Sequence, residues 1–122
     1  DICQYEYDLD KYFIDNYAYF IKSDNDILGF VLIDDNRNNN YEISEIFVLN
    51  NYKRNKIGKE VAIKVFDMYK GNWTIKAVPN SKVAESFWKM VVKDYTNNNY
   101  IEKYTGKYNR LEIYFSNGDL DD

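Results

Sequence analysis

The sequence predicts an α/β domain: a mixed, mostly antiparallel sheet with a central parallel β-α-β crossover and helices on both faces. Three observations carry this. Hairpin signals stand at both ends of the chain, over residues 17–34 and 100–115. Between them, apolar residues recur at helical spacing twice, over residues 55–69 and 81–92. A short apolar run, residues 73–78, separates those two stretches. Hairpins join antiparallel neighbours, whereas strand-helix-strand joins parallel ones with a right-handed crossover. The order is therefore β-β-β-α-β-α-β-β after a weaker start.

Residues 1–7 read as the tail of an edge strand. Residues 8–14 read as one or two helical turns with Asp8 as the cap. Strands follow over 17–22 and 27–34, with a turn at 23–26. Gly29 interrupts the second of them, the mark of a bulge or a close backbone approach. After an exposed turn at 35–40, residues 41–48 form a strand rich in β-branched and aromatic side chains. Simple alternation puts Glu42, Ser44, Ile46 and Val48 on one face and Tyr41, Ile43, Glu45 and Phe47 on the other. Glu42 and Glu45 are thus expected on opposite faces.

The first clear helix covers residues 55–69. Ile57, Val61, Val65 and Met68 make one buried stripe, with Lys59, Glu60, Lys64 and Asp67 off it. Gly71 stands where a C′ glycine is expected. The strand at 73–78 stops at Pro79, the only proline. Ser81 can cap a helix through about Val92, with Val83, Ala84, Phe87, Trp88 and Val91 as its apolar face. Residues 97–99 turn the chain. Strands at 100–104 and 110–115 join around Gly106. The tail at 118–122 is acidic and frayed.

The 122 residues contain no internal linker or repeat, so one domain spanning 1–122 is expected. The stretch begins at Asp1, which leaves room for an N-terminal element outside it. No apolar run approaches the ~20 residues that cross a bilayer, and no leader pattern is visible, so a cytoplasmic location is expected. Cys3 is the one cysteine and there is no histidine. An internal disulfide, a thiolate-rich metal site and an imidazole base are excluded, and no metal is expected. Net charge is −4, unevenly placed. Residues 1–50 carry 3 basic and 11 acidic side chains; residues 51–122 carry 13 and 9. The pattern suits an anion site in the second half and a cation-tolerant surface in the first.

The anion site has a specific location. Lys53, Arg54, Lys56 and Lys59 surround Gly58 where the first helix begins. Cations at that end oppose the helix dipole, and a bound anion removes the conflict. Successive N–H groups of residues 54–58 can hold a phosphate.

These residues resemble the GNAT acetyltransferase superfamily, and the element order matches over nearly the whole chain. The family's pyrophosphate signature is Arg or Gln, two residues, Gly, one residue, then Gly or Ala. Here it reads K-R-N-K-I-G, from Lys53 to Gly58. Gly58 matches the last position, while Lys53 and Lys56 depart from the pattern. The stretch PNSKVAESFWKMV resembles the second cofactor segment, and Phe87-Trp88 is similar to the F-W of small bacterial predicted GNAT proteins.

The resemblance implies an acetyl-CoA-dependent N-acetyltransferase acting on a primary amine. It implies coenzyme A contacts from Ile46, Phe47, Val48, Lys53, Arg54, Asn55, Lys56, Ile57, Gly58 and Lys59. A second set comes from Ala84, Phe87 and whichever of Asn80 and Ser81 fills the family's asparagine position. The Val48 N–H would polarise the thioester carbonyl. A lysine-like amine is neutral in only about one part in a thousand near pH 7, so a base is needed. Without histidine the candidates are Glu42 and Glu45, both at positions that relatives use. The tyrosine with which many relatives protonate the leaving thiolate is replaced by Trp88. A CoA-binding sensor or assembly module without turnover is the alternative. The expected partner is a small-molecule or peptide amine, with a homodimer left open; nucleic acid and membrane are not expected, in keeping with the net negative charge.

Overall fold

The computed structural model describes residues 7–13, 17–49 and 57–118. The elements run β1 (Asp8–Phe13), β2 (Tyr17–Ser23), β3 (Asp26–Asp35), β4 (Asn40–Val48), α1 (Ile57–Met68), β5 (Asn72–Lys76), α2 (Lys82–Thr96), β6 (Ile101–Thr105) and β7 (Arg110–Ser116). They form one seven-stranded sheet in the order β1-β2-β3-β4-β5-β7-β6. Every neighbouring pair is antiparallel except β4 and β5. The mixed α/β sheet with a central parallel crossover is therefore present.

Both described helices lie on one face of that sheet, where helices on both were expected. The Phe66 ring of α1 packs edge-on against Trp73 of β5 and Phe115 of β7, at 5.0 and 4.9 Å. Tyr95 of α2 meets the same Phe66 and Phe115 rings. Topology explains it: β4→β5 and β5→β6 step in the same direction along the sheet between parallel strands, and two right-handed crossovers of that kind fall on one side. The core lies between this face and the helices, with Val31, Ile33, Ile43, Ile75 and Ile113 facing Val61, Val65, Phe66, Val91 and Val92. Among the described residues no helix is long and apolar enough to cross a membrane.

Several local expectations change. Residues 8–13 form an edge strand, not helical turns. Leu9 pairs with Ile21 and packs against the core, and that tertiary pairing outweighs a weak helix cap. Met68 is 44% exposed. It is the last residue of α1, where the Tyr69 ring fills the space by stacking on Tyr17 at 4.7 Å. Val83 is 82% exposed. It sits in the first turn, off the side formed by Ala84, Phe87, Trp88, Val91 and Val92. That side continues past Val92 to Tyr95, and α2 ends only at Asn97, left-handed at φ 56°. Gly71 is not a left-handed cap. A Cβ there would strike the Asn39 carbonyl, which also accepts from Asn72 N–H at 2.8 Å. Gly29 does mark a close approach, against the Phe47 carbonyl of β4.

One side chain ties three elements together. Asn117, just beyond β7, accepts from the Gly71 N–H at 2.9 Å. Its amide donates to the Phe66 carbonyl at 2.7 Å and to the Tyr95 hydroxyl at 3.1 Å. The ends of α1 and α2 are thereby fixed to the start of β5.

Candidate functional site where β4 and β5 part

β4 and β5 pair over only four positions, from Asn40–Asn72 to Ile43–Ile75. Beyond them β4 continues through Val48, about 16 Å of extended chain. Each strand is held by its outer neighbour instead. β4 stays paired with β3 as far as Gly29–Val48. β5 leans on β7, with the Ala77 N–H donating to the Leu111 carbonyl at 3.1 Å. A wedge opens between the two strands.

The backbone of β4 faces this wedge at known positions. The Leu49 N–H donates to the Leu28 carbonyl of β3 at 2.8 Å. Backbone groups of successive strand residues point to alternate edges. Ile46 and Val48 therefore present their N–H and C=O to the wedge, where an extended ligand can pair with them. On the helix side the wedge is closed by Val48, Ile57, Phe87 and Trp88, all packed into the core. Gly58 lies in this packing: a Cβ there would sit 3.4 Å from the Phe87 ring and 3.9 Å from a Val48 methyl, ordinary contacts. Access is left to the opposite, open face of the sheet, which neither described helix covers.

On that open face the structure changes the relation of the two glutamates. β3 and β4 pair Ile33 with Ile43 but Leu32 with Glu45, which leaves Ser44 as the extra residue of a bulge. Alternation is shifted by one, and Glu42 and Glu45 share the open face. Glu42 lies 3.6 Å from Lys76 of β5, level with the last paired positions. Glu45 lies past the bulge, exposed, beside the wedge, with no polar partner among the described residues. Beside Lys76 and Glu42, Glu112 accepts from the hydroxyls of Tyr114 and of Thr105, the latter at 2.7 Å. These bonds hold the Glu112 carboxyl below the usual carboxylate range and push the Tyr114 phenol up to about 12. Lys76, Thr105, Glu112 and Tyr114 were not singled out by the sequence; no motif or spacing marks them.

The remaining candidates divide. Lys53, Arg54, Asn55 and Lys56 lie outside the described residues. Lys59 pairs with Asp94 of α2 at 2.6 Å. The Ser81 hydroxyl accepts from the Ala84 N–H at 3.1 Å as the cap of α2. Asn80, left-handed at φ 63°, has its amide free among the described residues, so of the two it is the one available to a ligand. Phe87 lies beside Gly58 and Val48 on the helix side, and Ala84, one turn earlier in α2, is half-buried against the core. Trp88, buried beside Phe87, carries an indole N–H, a hydrogen-bond donor but no acid for a thiolate. A shallow hollow of about 500 Å³ near Asn40, Asn72, Tyr100 and Tyr114 lies at the other end of β5, away from the wedge. Among the described residues no three His, Cys, Asp or Glu side chains converge as metal ligands.

Known structures share this architecture. A Bacillus subtilis acetyltransferase solved with CoA superposes with TM-score 0.63 at 10% identity, over 83% of this chain and 76% of that one. A candidate streptothricin acetyltransferase of Bacillus anthracis, solved with acetyl coenzyme A, gives 0.53 at 20% identity, over 81% and 60%. A candidate GNAT-family acetyltransferase of Bacteroides thetaiotaomicron gives 0.56 at 13%, over 87% and 63%. The chain thus spans less than two thirds of the last two. No curated protein matches. The model of the acetyltransferase (GNAT) family matches residues 2–90, most of the chain and all of β4, the wedge and the start of α2. The chain belongs to the acetyltransferase (GNAT) family.

Proposed function

We propose that this protein transfers the acetyl group of acetyl-CoA to a primary amine. The observation that carries the reading is the wedge: β4 leaves β5 after Ile43 and offers the backbone of Ile46 and Val48 to an extended ligand. CoA and acetyl-CoA are the molecules held by two proteins of the same fold. The residues present suit such a substrate. An extended amide-bearing arm matches a free strand edge, and the basic stretch from Lys53 leads into the start of α1, where N–H groups lack helical partners. Asn80, Ala84 and Phe87 complete the contact.

The chemistry then falls to the open face. The amine reaches the thioester from that side, because the helices close the other. Its nitrogen attacks the carbonyl carbon; a C–N bond forms, the C–S bond breaks, and sulfur leaves as thiolate. The Val48 N–H supports the charge gathered on the carbonyl oxygen. Glu45, without a polar partner among the described residues and three residues from Val48, takes the proton that nitrogen loses, directly or through water. The thiolate takes its proton from solvent, since the indole of Trp88 is not an acid. Glu42 is the lesser candidate, being engaged by Lys76.

An indole at position 88 in place of the family's tyrosine, and the lysine at position 56, favour one second reading, a CoA-binding module that does not turn over. Two measurements separate them. Acetyl-CoA should raise the melting temperature, by mass action on the folded state, and Lys53→Glu with Lys56→Glu should abolish the rise. Thiol release with a panel of primary amines should then show turnover. A full thermal shift in the double variant removes the phosphate site; a shift without any thiol release leaves the binding module.

A further inference from the structure

The open face beside the wedge is not uniformly polar. Across β2, β3 and β4, Phe20, Phe30 and Phe47 stand directly opposite one another in register. The Phe30 and Phe47 rings stack at 5.6 Å with 28° between their planes. Phe47, 43% exposed, is adjacent to Val48 at the mouth of the wedge. The next row toward the middle of the sheet is Leu32 beside Glu45, and the row after it Asp34 beside Glu42. Moving away from the wedge mouth, the surface passes from aromatic to carboxylate within two rows, roughly 13 Å at two residues per row.

We infer that this stretch seats the acceptor, and that the acceptor is a primary amine carrying an alkyl or aryl body. The inference rests on the transferase reading above. Its parts follow from charge and area. The amine must stand near Glu45 to give up its proton, and a carboxylate there complements its ammonium form. The rest of the molecule must then lie on the neighbouring surface, and toward the wedge mouth that surface is the Phe30–Phe47 pair with Leu32. A sugar amine would lay hydroxyls on those rings and leave them without partners. The second ammonium of a polyamine would gain only a cation–π contact there, worth about 2- to 5-fold in affinity at an exposed site, less than an apolar body gains by covering the rings. An apolar body covers the rings and removes area from water. Ring against ring adds a further preference for an aromatic group.

The test compares ethylamine, 2-phenylethylamine and 1,4-diaminobutane as acceptors, with thiol release from acetyl-CoA as the readout. The expected order of kcat/KM puts 2-phenylethylamine first, at least about 10-fold above ethylamine. Phe30→Ala and Phe47→Ala should each lower the ratio of 2-phenylethylamine to ethylamine about 10-fold. Phe47→Leu, which keeps an apolar surface, should retain most of it, and far-UV circular dichroism checks that each variant folds. If 1,4-diaminobutane leads, or the ratio is unchanged in both alanine variants, the apolar acceptor seat is wrong and the transferase reading stands. If no amine releases thiol although acetyl-CoA binds, the transferase reading fails and this inference with it.

Discussion

Glu42 and Glu45 point to the same side of the sheet, because Ser44 between them is the extra residue of a β-bulge. The pair register shows it: Asp34 faces Glu42 and Leu32 faces Glu45, both even steps along β3. The bulge also falls where β4 leaves β5, so the local kink and the parting of the strands coincide. One carboxylate stays with the paired strands and Lys76. The other is carried past the kink to the wedge.

That separation predicts unequal effects. Glu45→Gln should keep the acetyl-CoA thermal shift and lower kcat by about 10²–10⁴ at neutral pH. The loss should shrink as pH rises, because the amine then loses its proton without help. Glu42→Gln should cost less, since it mainly releases Lys76. Steady-state kinetics from pH 7 to 9.5 measure both. Equal loss in the two variants, or none in Glu45→Gln, would remove Glu45 as the base.

Gly58 allows a sharper distinction between packing and ligand. An added Cβ meets Phe87 and Val48 at ordinary distances, so the protein alone does not demand glycine there. Alanine is better than glycine within a helix by about 1 kcal/mol. Gly58→Ala should therefore leave unliganded stability equal or higher by up to about that amount. If the backbone of the first turn must approach a phosphate closely, the same change should weaken CoA binding. Urea midpoints without ligand and titration of CoA give the two numbers. Unchanged affinity with raised stability would mean that no ligand comes near this Cα.

The architecture was legible because period and punctuation agree. Val61 and Val65 recur at helical spacing, Ser81 and Pro79 mark a helix start, and Gly106 marks a hairpin. What escaped were features made by register. Ser44 carries no sign that it is an extra residue, since a bulge exists only relative to the partner strand. The pairing of Leu9 with Ile21 makes residues 8–13 a strand, though Asp8 followed by mixed residues reads as well for a short helix. The engagement of Lys59 by Asp94 is equally invisible, being a contact between side chains 35 positions apart. For the site, the family likeness was readable, while the basic turn at Lys53–Lys56 lies outside the described residues. Which face the glutamates share, and that the Ser81 hydroxyl is taken up in capping α2, were not.

Asn117 predicts a stability defect far from the wedge. Its side chain meets the Gly71 N–H, the Phe66 carbonyl and the Tyr95 hydroxyl. Asn117→Ala leaves two backbone groups and a hydroxyl short of a partner, a loss of about 2 kcal/mol or more. The urea midpoint should fall with little change in slope. CoA affinity should hold, because the contacts lie at the opposite end of α1 from Gly58. A loss below about 0.5 kcal/mol would mean that water replaces the amide at this site.

Tyr95 predicts how stability responds to alkali. Burial first, and the Asp67 carboxylate that accepts its hydroxyl at 2.7 Å, push the phenol up to about 12; the Asn117 amide acts the other way. Tyr69 moves in the same direction, through burial and then the Tyr19 hydroxyl. The sign follows from proton counting. Between about pH 10 and 12 the unfolded chain has released the Tyr95 proton while the folded chain keeps it, so the folded state binds more protons and stability falls as pH rises. Below about pH 10 the contribution is present in full. Tyr95→Phe removes this proton from both states. It should lower stability at pH 8, through the lost hydrogen bond to Asp67, yet flatten the decline between pH 10 and 12 relative to the parent. The other tyrosines and the lysines titrate in both proteins, so the difference between the two curves isolates Tyr95. Urea midpoints at pH 8, 10 and 11.5 provide the comparison. Parallel curves would mean that the Tyr95 phenol ionises alike in the folded and unfolded chain, against the burial seen between α1, α2 and β7.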